Sequence, residues 1–405
     1  MLNSVTTKKN YVLHIMISRI EFVISIVLIC VWAYSKNVII QRCCIGGIVI
    51  CMLTYLISCK TLSFKLHRIN TDGINEVLII DCNLNNEPCL FLLDSGYAGP
   101  PVLSRSYLAV KMKEKFRPID IRQNYNETMA ALNNINKDDE HKAINEFVRN
   151  SGCLPYTSGC TMRLMGIGSV QEQQADMLMC PMLHIKNKYG FHASPKKMTT
   201  MFADMFVTNS LRNSLHILTC DFLLHHSPCV ISPDKEELSL SLPYAEYLVI
   251  MPTFYMFPAI FSGGSFVIDI HINNTSFKFT VDTGAPGPMS IGKNAAEKLT
   301  TCRNKGKQRK LHQGGINGEV VCSEVVEIDV KFCDNEYSVP AFINNMPTDH
   351  VDGYVGLGFL RGFDMLISTE QIGFRRNNLE IRNIEYYADL TKEGTCGEKL
   401  SCMVD

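Results

Sequence analysis

Hydrophobic positions divide the chain into three regimes. Residues 22–34, FVISIVLICVWAY, are unbroken apolar, and residues 43–59, CCIGGIVICMLTYLISC, form a second run softened only by Thr54 and Ser58. Beyond them, short apolar stretches of strand length alternate with polar turns to about residue 385. Each apolar run falls short of the roughly 20 residues that cross a bilayer, the second only slightly. The first reaches Ile39 only by including Lys36 and Asn37. Two arrangements stay open: a helical hairpin with 35–42 as its loop, or a single span at about 43–59 behind a signal-like or interfacial segment. Lys8, Lys9, Arg19, Lys36, Arg42, Lys60, Lys65 and Arg68 flank every edge, so positive charge does not choose the orientation. A run of 17 nearly continuous apolar residues outside a large domain is expected to attach to a membrane. Region 1–68 is therefore read as a membrane-anchor region with lipid as its partner, against the competing reading of a buried hairpin. The side of the membrane is left open; Asn126, Asn273 and Asn274 begin glycosylation tripeptides that would be used only in a lumenal domain.

The strand-like remainder repeats itself. Residues 77–110, VLIIDCNLNNEPCLFLLDSGYAGPPVLSRSYLAV, and 265–299, SFVIDIHINNTSFKFTVDTGAPGPMSIGKNAAEKL, share one order of features. In each, a β-like run, an Asn-Asn turn and a second β-like run lead to Asp-Ser/Thr-Gly, with Gly-Pro following. A second shared block closes each copy: HILTCDFLLHHSPCVIS at 216–232 and DGYVGLGFLRGFDMLIS at 352–368, where Phe222–Leu223 answers Phe359–Leu360. A unit of this size is a duplicated domain rather than a solenoid repeat. The boundaries follow: lobe one at 70–240, an interlobe connection at 241–261, lobe two at 262–385 and a tail at 386–405. The connection, with Glu246, Pro252 and Pro258 against a membrane span, is expected to form strands and turns. Lobe one carries a polar insertion near 117–150, with a short surface helix expected at 137–148.

Composition narrows the function classes. The net charge of -1 on 405 residues gives neither a basic nucleic-acid surface nor an acidic tail, so no nucleic-acid partner is expected. Seventeen cysteines include no CxxC pair; five lie in the apolar N-terminal region, and Cys396 with Cys402, or more weakly Cys153 with Cys160, would suit small loops in an oxidising compartment. His225–His226, adjacent and read as strand residues, would point apart, so no metal site is expected there. Gly356 and Gly358 lack the third glycine and helix of a dinucleotide fingerprint, and no G-x-S-x-G elbow is present. No cofactor is implied.

The chemistry rests on the two acidic motifs. A strand ending in Asp-Ser/Thr-Gly sets a carboxylate at a tight turn, with Gly96 or Gly284 allowing close backbone approach and the Ser95 or Thr283 hydroxyl free to reach the partner loop. If the copies face one another, Asp94 and Asp282 meet, and two adjacent carboxyls keep one proton between them. One then serves as base toward water and the other as acid toward a carbonyl.

These motifs resemble the pepsin-like and retroviral-type aspartic peptidases. Val281-Asp282-Thr283-Gly284-Ala285 looks like the family's catalytic strand, and Asp352-Gly353-Tyr354-Val355-Gly356-Leu357 like the second motif, which crosses beneath it. Leu93-Asp94-Ser95-Gly96 matches the catalytic strand in lobe one, and Thr219 occupies the place that Gly356 holds in lobe two. Met165-Gly166-Ile167-Gly168-Ser169 and Gly314-Gly315-Ile316-Asn317-Gly318 look like the glycine-bearing hairpins, one of which covers substrate as a flap. The resemblance implies an all-β, bilobal pepsin-like fold and an endopeptidase acting on polypeptides with Asp94 and Asp282 catalytic; the apolar runs place it behind an N-terminal transmembrane anchor, at a membrane. Two departures stand out. Tyr97 replaces a small residue and is expected to set a ring beside the dyad; Thr219 replaces glycine and is expected to crowd the loop above it. A catalytically silent, peptide-binding or structural membrane protein of the same fold is the alternative that these departures keep open.

Overall fold

The computed structural model describes residues 62–383 apart from 71–75, 85–86, 109–116, 121–152, 167–168, 179–181, 187–197, 203, 209–215, 259, 263–264, 273–274, 300–308, 315–319 and 345–349. All described residues belong to one compact unit, Leu62–Asp405. Both apolar runs, segment 137–148, the glycosylation asparagines Asn126, Asn273 and Asn274, and Gly168, Gly315, Gly318, Cys396 and Cys402 lie outside the described residues. Among the described residues no helix is long and apolar enough to cross a membrane.

The fold is mostly β, in one sheet of sixteen strands and one of eight among the described residues, with short helices between them. Side-chain alternation explains the strands nearest the site. Thr275–Asp282 turns Phe277, Phe279 and Val281 inward while Ser276 and Lys278 face solvent. Phe91 and Leu93 are equally buried along Glu87–Asp94. Each of these strands is the second arm of a hairpin, antiparallel to Ser265–Ile272 or to Glu76–Leu84.

Both copies continue the same way. Val102–Ser104 follows the first acidic turn and Met289–Gly292 the second. His216–Thr219 then inserts parallel to Phe91–Asp94 with Thr219 opposite Asp94. Gly353–Gly356 inserts parallel to Phe279–Asp282 with Gly356 opposite Asp282. A short helix leaves each inserted strand, Cys220–His225 and Leu357–Leu360. The copies join through a run of six strands in the order Tyr255–Pro258, Gln371–Arg376, Phe363–Ile367, Cys229–Ser232, Glu237–Leu240 and Leu62–Asn70. Its central pair is antiparallel, with Val230 opposite Leu366, so corresponding pieces of the two copies lie side by side.

Several sequence expectations change. Leu62–Asn70 is a strand, although its first seven residues fall inside the stretch read as the anchor region 1–68. Tyr244–Ile250, expected as strand and turn, is a helix extended by a 3-10 turn at Met251–Thr253; its inner side chains pack on Val230, Leu242, Phe254 and Leu366. Tertiary packing there overrides the strand propensity of the valine, isoleucine and tyrosines. His225 and His226 sit at a helix end, not on a strand, and their rings meet edge to face at 4.8 Å. Cys160 is a free thiol. It shares the strand Cys153–Gly166 with Cys153, and extension over seven residues holds two cysteines far beyond bonding reach. Arg375 bonds the buried Asp364 at 2.7 Å and lies over the Phe254 ring, while Arg376 donates to the carbonyls of Gly362 and Leu379.

Candidate active site

The two acidic turns are cross-linked by four hydrogen bonds. The Ser95 N–H donates to Thr283 Oγ1 at 3.0 Å, and the Thr283 N–H donates to Ser95 Oγ at 3.0 Å. Each hydroxyl spends its own proton on the partner strand: Ser95 Oγ on the Val281 carbonyl at 2.9 Å, Thr283 Oγ1 on the Leu93 carbonyl at 2.7 Å. Both hydroxyls are fully buried. The strands preceding the two aspartates are therefore held at a fixed separation by bonds that neither loop could make alone.

Backbone donors orient each carboxylate from its own loop. Asp94 Oδ1 accepts from the Gly96 N–H at 2.9 Å and the Tyr97 N–H at 3.0 Å. Asp282 Oδ1 accepts from Gly284 and Ala285 at the same two distances. Across the axis, glycine leaves room for the opposite acid: a Cβ at Gly96 would lie 2.3 Å from Asp282 Cγ, and one at Gly284 2.4 Å from Asp94 Cγ. Any side chain at either position collides with the other carboxyl. Asp94 and Asp282 thus each lie against the other's turn, close enough for each to influence the other's ionisation.

Both carboxyls keep a partial opening to solvent, yet enough protein surrounds them for desolvation to dominate. Burial raises Asp94 well above the usual carboxylate range, and the charge of Asp282 raises it further. Burial also raises Asp282, against the hydrogen bonds from Asp94, Ala285 and Gly284 that favour its charged form. Such a pair titrates as a unit and retains one proton where isolated carboxylates have lost theirs. An acid and a base then stand together.

The second-motif positions solve one packing problem in two ways. In the second copy the Gly356 N–H donates to the Pro288 carbonyl at 2.9 Å, and a Cβ on Gly356 would lie 2.1 Å from the Gly287 carbonyl oxygen. In the first copy the fully buried Thr219 donates its hydroxyl proton to the Gly99 carbonyl at 2.5 Å and accepts from the Phe222 N–H, capping the helix Cys220–His225. The expected crowding by Thr219 is absent, because the hydroxyl is itself a bonding partner of the loop. The Tyr97 ring is taken into an apolar cluster with Val102, Met162, Ala175 and Ile217. Its backbone still matches Ala285: Cys220 N–H donates to the Tyr97 carbonyl as Leu357 N–H does to that of Ala285.

The glycine-bearing segments join paired strands. Gly166 stands opposite Ser169 at the end of the Cys153–Gly166 and Ser169–Leu178 hairpin, and Gly314 stands opposite Val320 at the end of the Arg309–Gly314 and Val320–Phe332 hairpin. One contact escaped the sequence reading: Ser265 Oγ donates to the Gly96 carbonyl at 2.7 Å, tying the first acidic loop to the opening strand of the second copy. A serine at a strand start carries no pattern that would have signalled it.

No family model matches the sequence, and no curated protein matches it. Among solved structures, a retropepsin-like aspartic protease from Rickettsia conorii is 20% identical, with 30% of this chain covering 89% of that one at a TM-score of 0.23. The EIAV protease, in complex with the inhibitor HBY-793, is 19% identical, with 24% of this chain covering 84% of that one at a TM-score of 0.19. The chain has a weak structural resemblance to proteins of this kind.

Proposed function

We propose that this protein is an aspartic endopeptidase attached to a membrane by its N-terminal region, with lobes at about 70–240 and 262–385. The observation that carries the reading is the reciprocal Ser95–Thr283 bonding that sets Asp94 against Asp282. In this mechanism the ionised carboxyl takes a proton from a bound water, which attacks the scissile carbonyl carbon. The protonated carboxyl donates to the carbonyl oxygen, giving a tetrahedral diol, and collapse of the diol expels the amine. An extended polypeptide lies between the lobes, bonded as a strand, and the hairpin ending at Gly166 serves as the flap. No cofactor takes part.

The test is peptide cleavage by the full chain and by Asp282→Asn and Asp94→Asn variants across pH. Cleavage abolished by either change in folded protein is the expected result; unchanged cleavage overturns the mechanism. A catalytically silent membrane protein of the same fold, with a structural or peptide-binding role, is the second reading, favoured by Tyr97 standing where Ala285 stands in the other copy. Under it, wild-type protein cleaves nothing and a hydroxyl-bearing peptide inhibitor fails to bind.

A further inference from the structure

Four large hydrophobic side chains are exposed among the described residues, and all lie within 244–255: Tyr244 at 62%, Leu248 at 46%, Val249 at 75% and Tyr255 at 43%. Three of them ride on the helix Tyr244–Ile250, where Tyr244 and Leu248 are one turn apart. Beside them, Tyr247, Ile250 and Met251 pack against Val230, Leu242, Phe254 and Leu366. The helix is thus apolar at packed and exposed positions alike, and Glu246 is the only charged residue in 244–261. Clustered exposure of this kind marks an interaction surface.

The place where the chain enters the fold indicates the partner. Leu62, the first described residue, is paired with Leu240. Tyr244 follows Leu240 by four residues, a reach of at most about 14 Å. The apolar run 43–59 ends only three residues before Leu62. Three residues reach at most about 11 Å, so the chain tethers that run close to the strand end from which the helix follows. Tyrosine beside aliphatic side chains is also the composition that settles at a lipid–water boundary.

We propose that Tyr244, Leu248 and Val249 form a lipid-contacting face that seats the folded unit on the membrane surface. The inference rests on 43–59 being inserted in that membrane and goes beyond the peptidase reading. Its consequence is a body held in a fixed attitude to the bilayer, with polypeptide reaching the cleft from one side.

Trp32, the one tryptophan of the chain, falls in the apolar run 22–34 and supplies an internal control. The full chain is reconstituted in phosphatidylcholine vesicles containing brominated lipids. Wild-type emission reports on the N-terminal region, and Val249→Trp or Leu248→Trp in a Trp32→Phe background reports on the helix. Quenching of the introduced tryptophan, stronger with bromines near the headgroups than near the bilayer centre, is expected for a helix seated about 5–10 Å deep. Quenched wild-type protein with an unquenched introduced tryptophan overturns the proposal while leaving membrane attachment intact. A blue shift that follows protein concentration without lipid quenching also overturns it, and assigns the face to a second copy. When neither wild-type protein nor Ile48→Trp in the Trp32→Phe background, which reports on the run 43–59, is quenched, the membrane reading falls and this inference with it.

Discussion

The Gly99 carbonyl receives its hydrogen bond from a hydroxyl, on Thr219, whereas the matching loop in the second copy closes on the bare backbone of Gly356. Removing that hydroxyl while keeping the shape isolates its contribution. Thr219→Val leaves the Gly99 carbonyl without its donor and the helix Cys220–His225 without its cap, each worth about 1 kcal/mol or more. We expect Thr219→Val to lower stability by about 1–3 kcal/mol and Thr219→Ser by less than half as much, read from urea unfolding midpoints. A valine variant as stable as wild type would mean that the threonine is only a filler. Tyr97 shows the other side of the same asymmetry: burial, then the nearby charges of Asp94 and Asp221, push its phenol upward and keep it neutral. The family resemblance gave both positions as departures. What it could not give was the direction in which each side chain points, because Met162, Ala175 and Ile217 for Tyr97, and Gly99 for Thr219, lie more than fifty residues away.

The strand His216–Thr219 carries a titration problem into the core. His216 is fully buried, its Nδ1 accepts the Ser104 N–H at 3.1 Å, and its ring lies against Tyr107 and Phe91. Protonating Nδ1 would break that bond, and burial lowers the ring from 6.5 to about 4. The sign follows: between these two values the unfolded chain gains a proton that the folded chain refuses, so stability falls as pH drops from 6.5 toward 4 and levels off below. A shift of this size corresponds to something on the order of 3 kcal/mol. We expect wild-type protein to lose stability over this window more steeply than His216→Gln, which retains an acceptor, when unfolding is followed at a series of pH values. His226, lowered by burial and then by neighbouring His225 to about 3, adds to the same loss from 6.5 downward and carries it on to about 3. Sequence located the strand but not the buried imidazole, since a lone histidine among apolar residues has no periodic signature.

Across the whole unit, the copies are also joined by charge. Glu76, at the head of the first copy's opening hairpin, meets Arg361 at 2.6 Å, Arg382 at 3.5 Å and Arg68 at 3.5 Å. Glu76 and Arg361 are both buried, so removal of the carboxylate strands a cation in the interior. Breaking such a pair from one side costs about 3–5 kcal/mol. Glu76→Gln should therefore shift the urea midpoint of the whole unit, and an unshifted midpoint would show the cluster to be screened by solvent. Arg68 lies on the neighbouring strand of the same hairpin as Glu76, but Arg361 and Arg382 follow the helix Leu357–Leu360 and the last described strand, far from Glu76 in sequence, and nothing local links them to it.

The sequence by itself determined the duplication, the strand hairpins that end in Asp94 and Asp282, and the glycines beside them. These depend on alternation and on turn chemistry, which are local. Only the tertiary structure decided that the acidic turns bond reciprocally through Ser95 and Thr283 and that Thr219 serves the loop rather than crowding it. The same holds for the helix Tyr244–Ile250, where the sequence pattern favoured strands. Each of these outcomes depends on partners brought together by the pairing of strands distant along the chain, and no window of neighbouring residues contains that information.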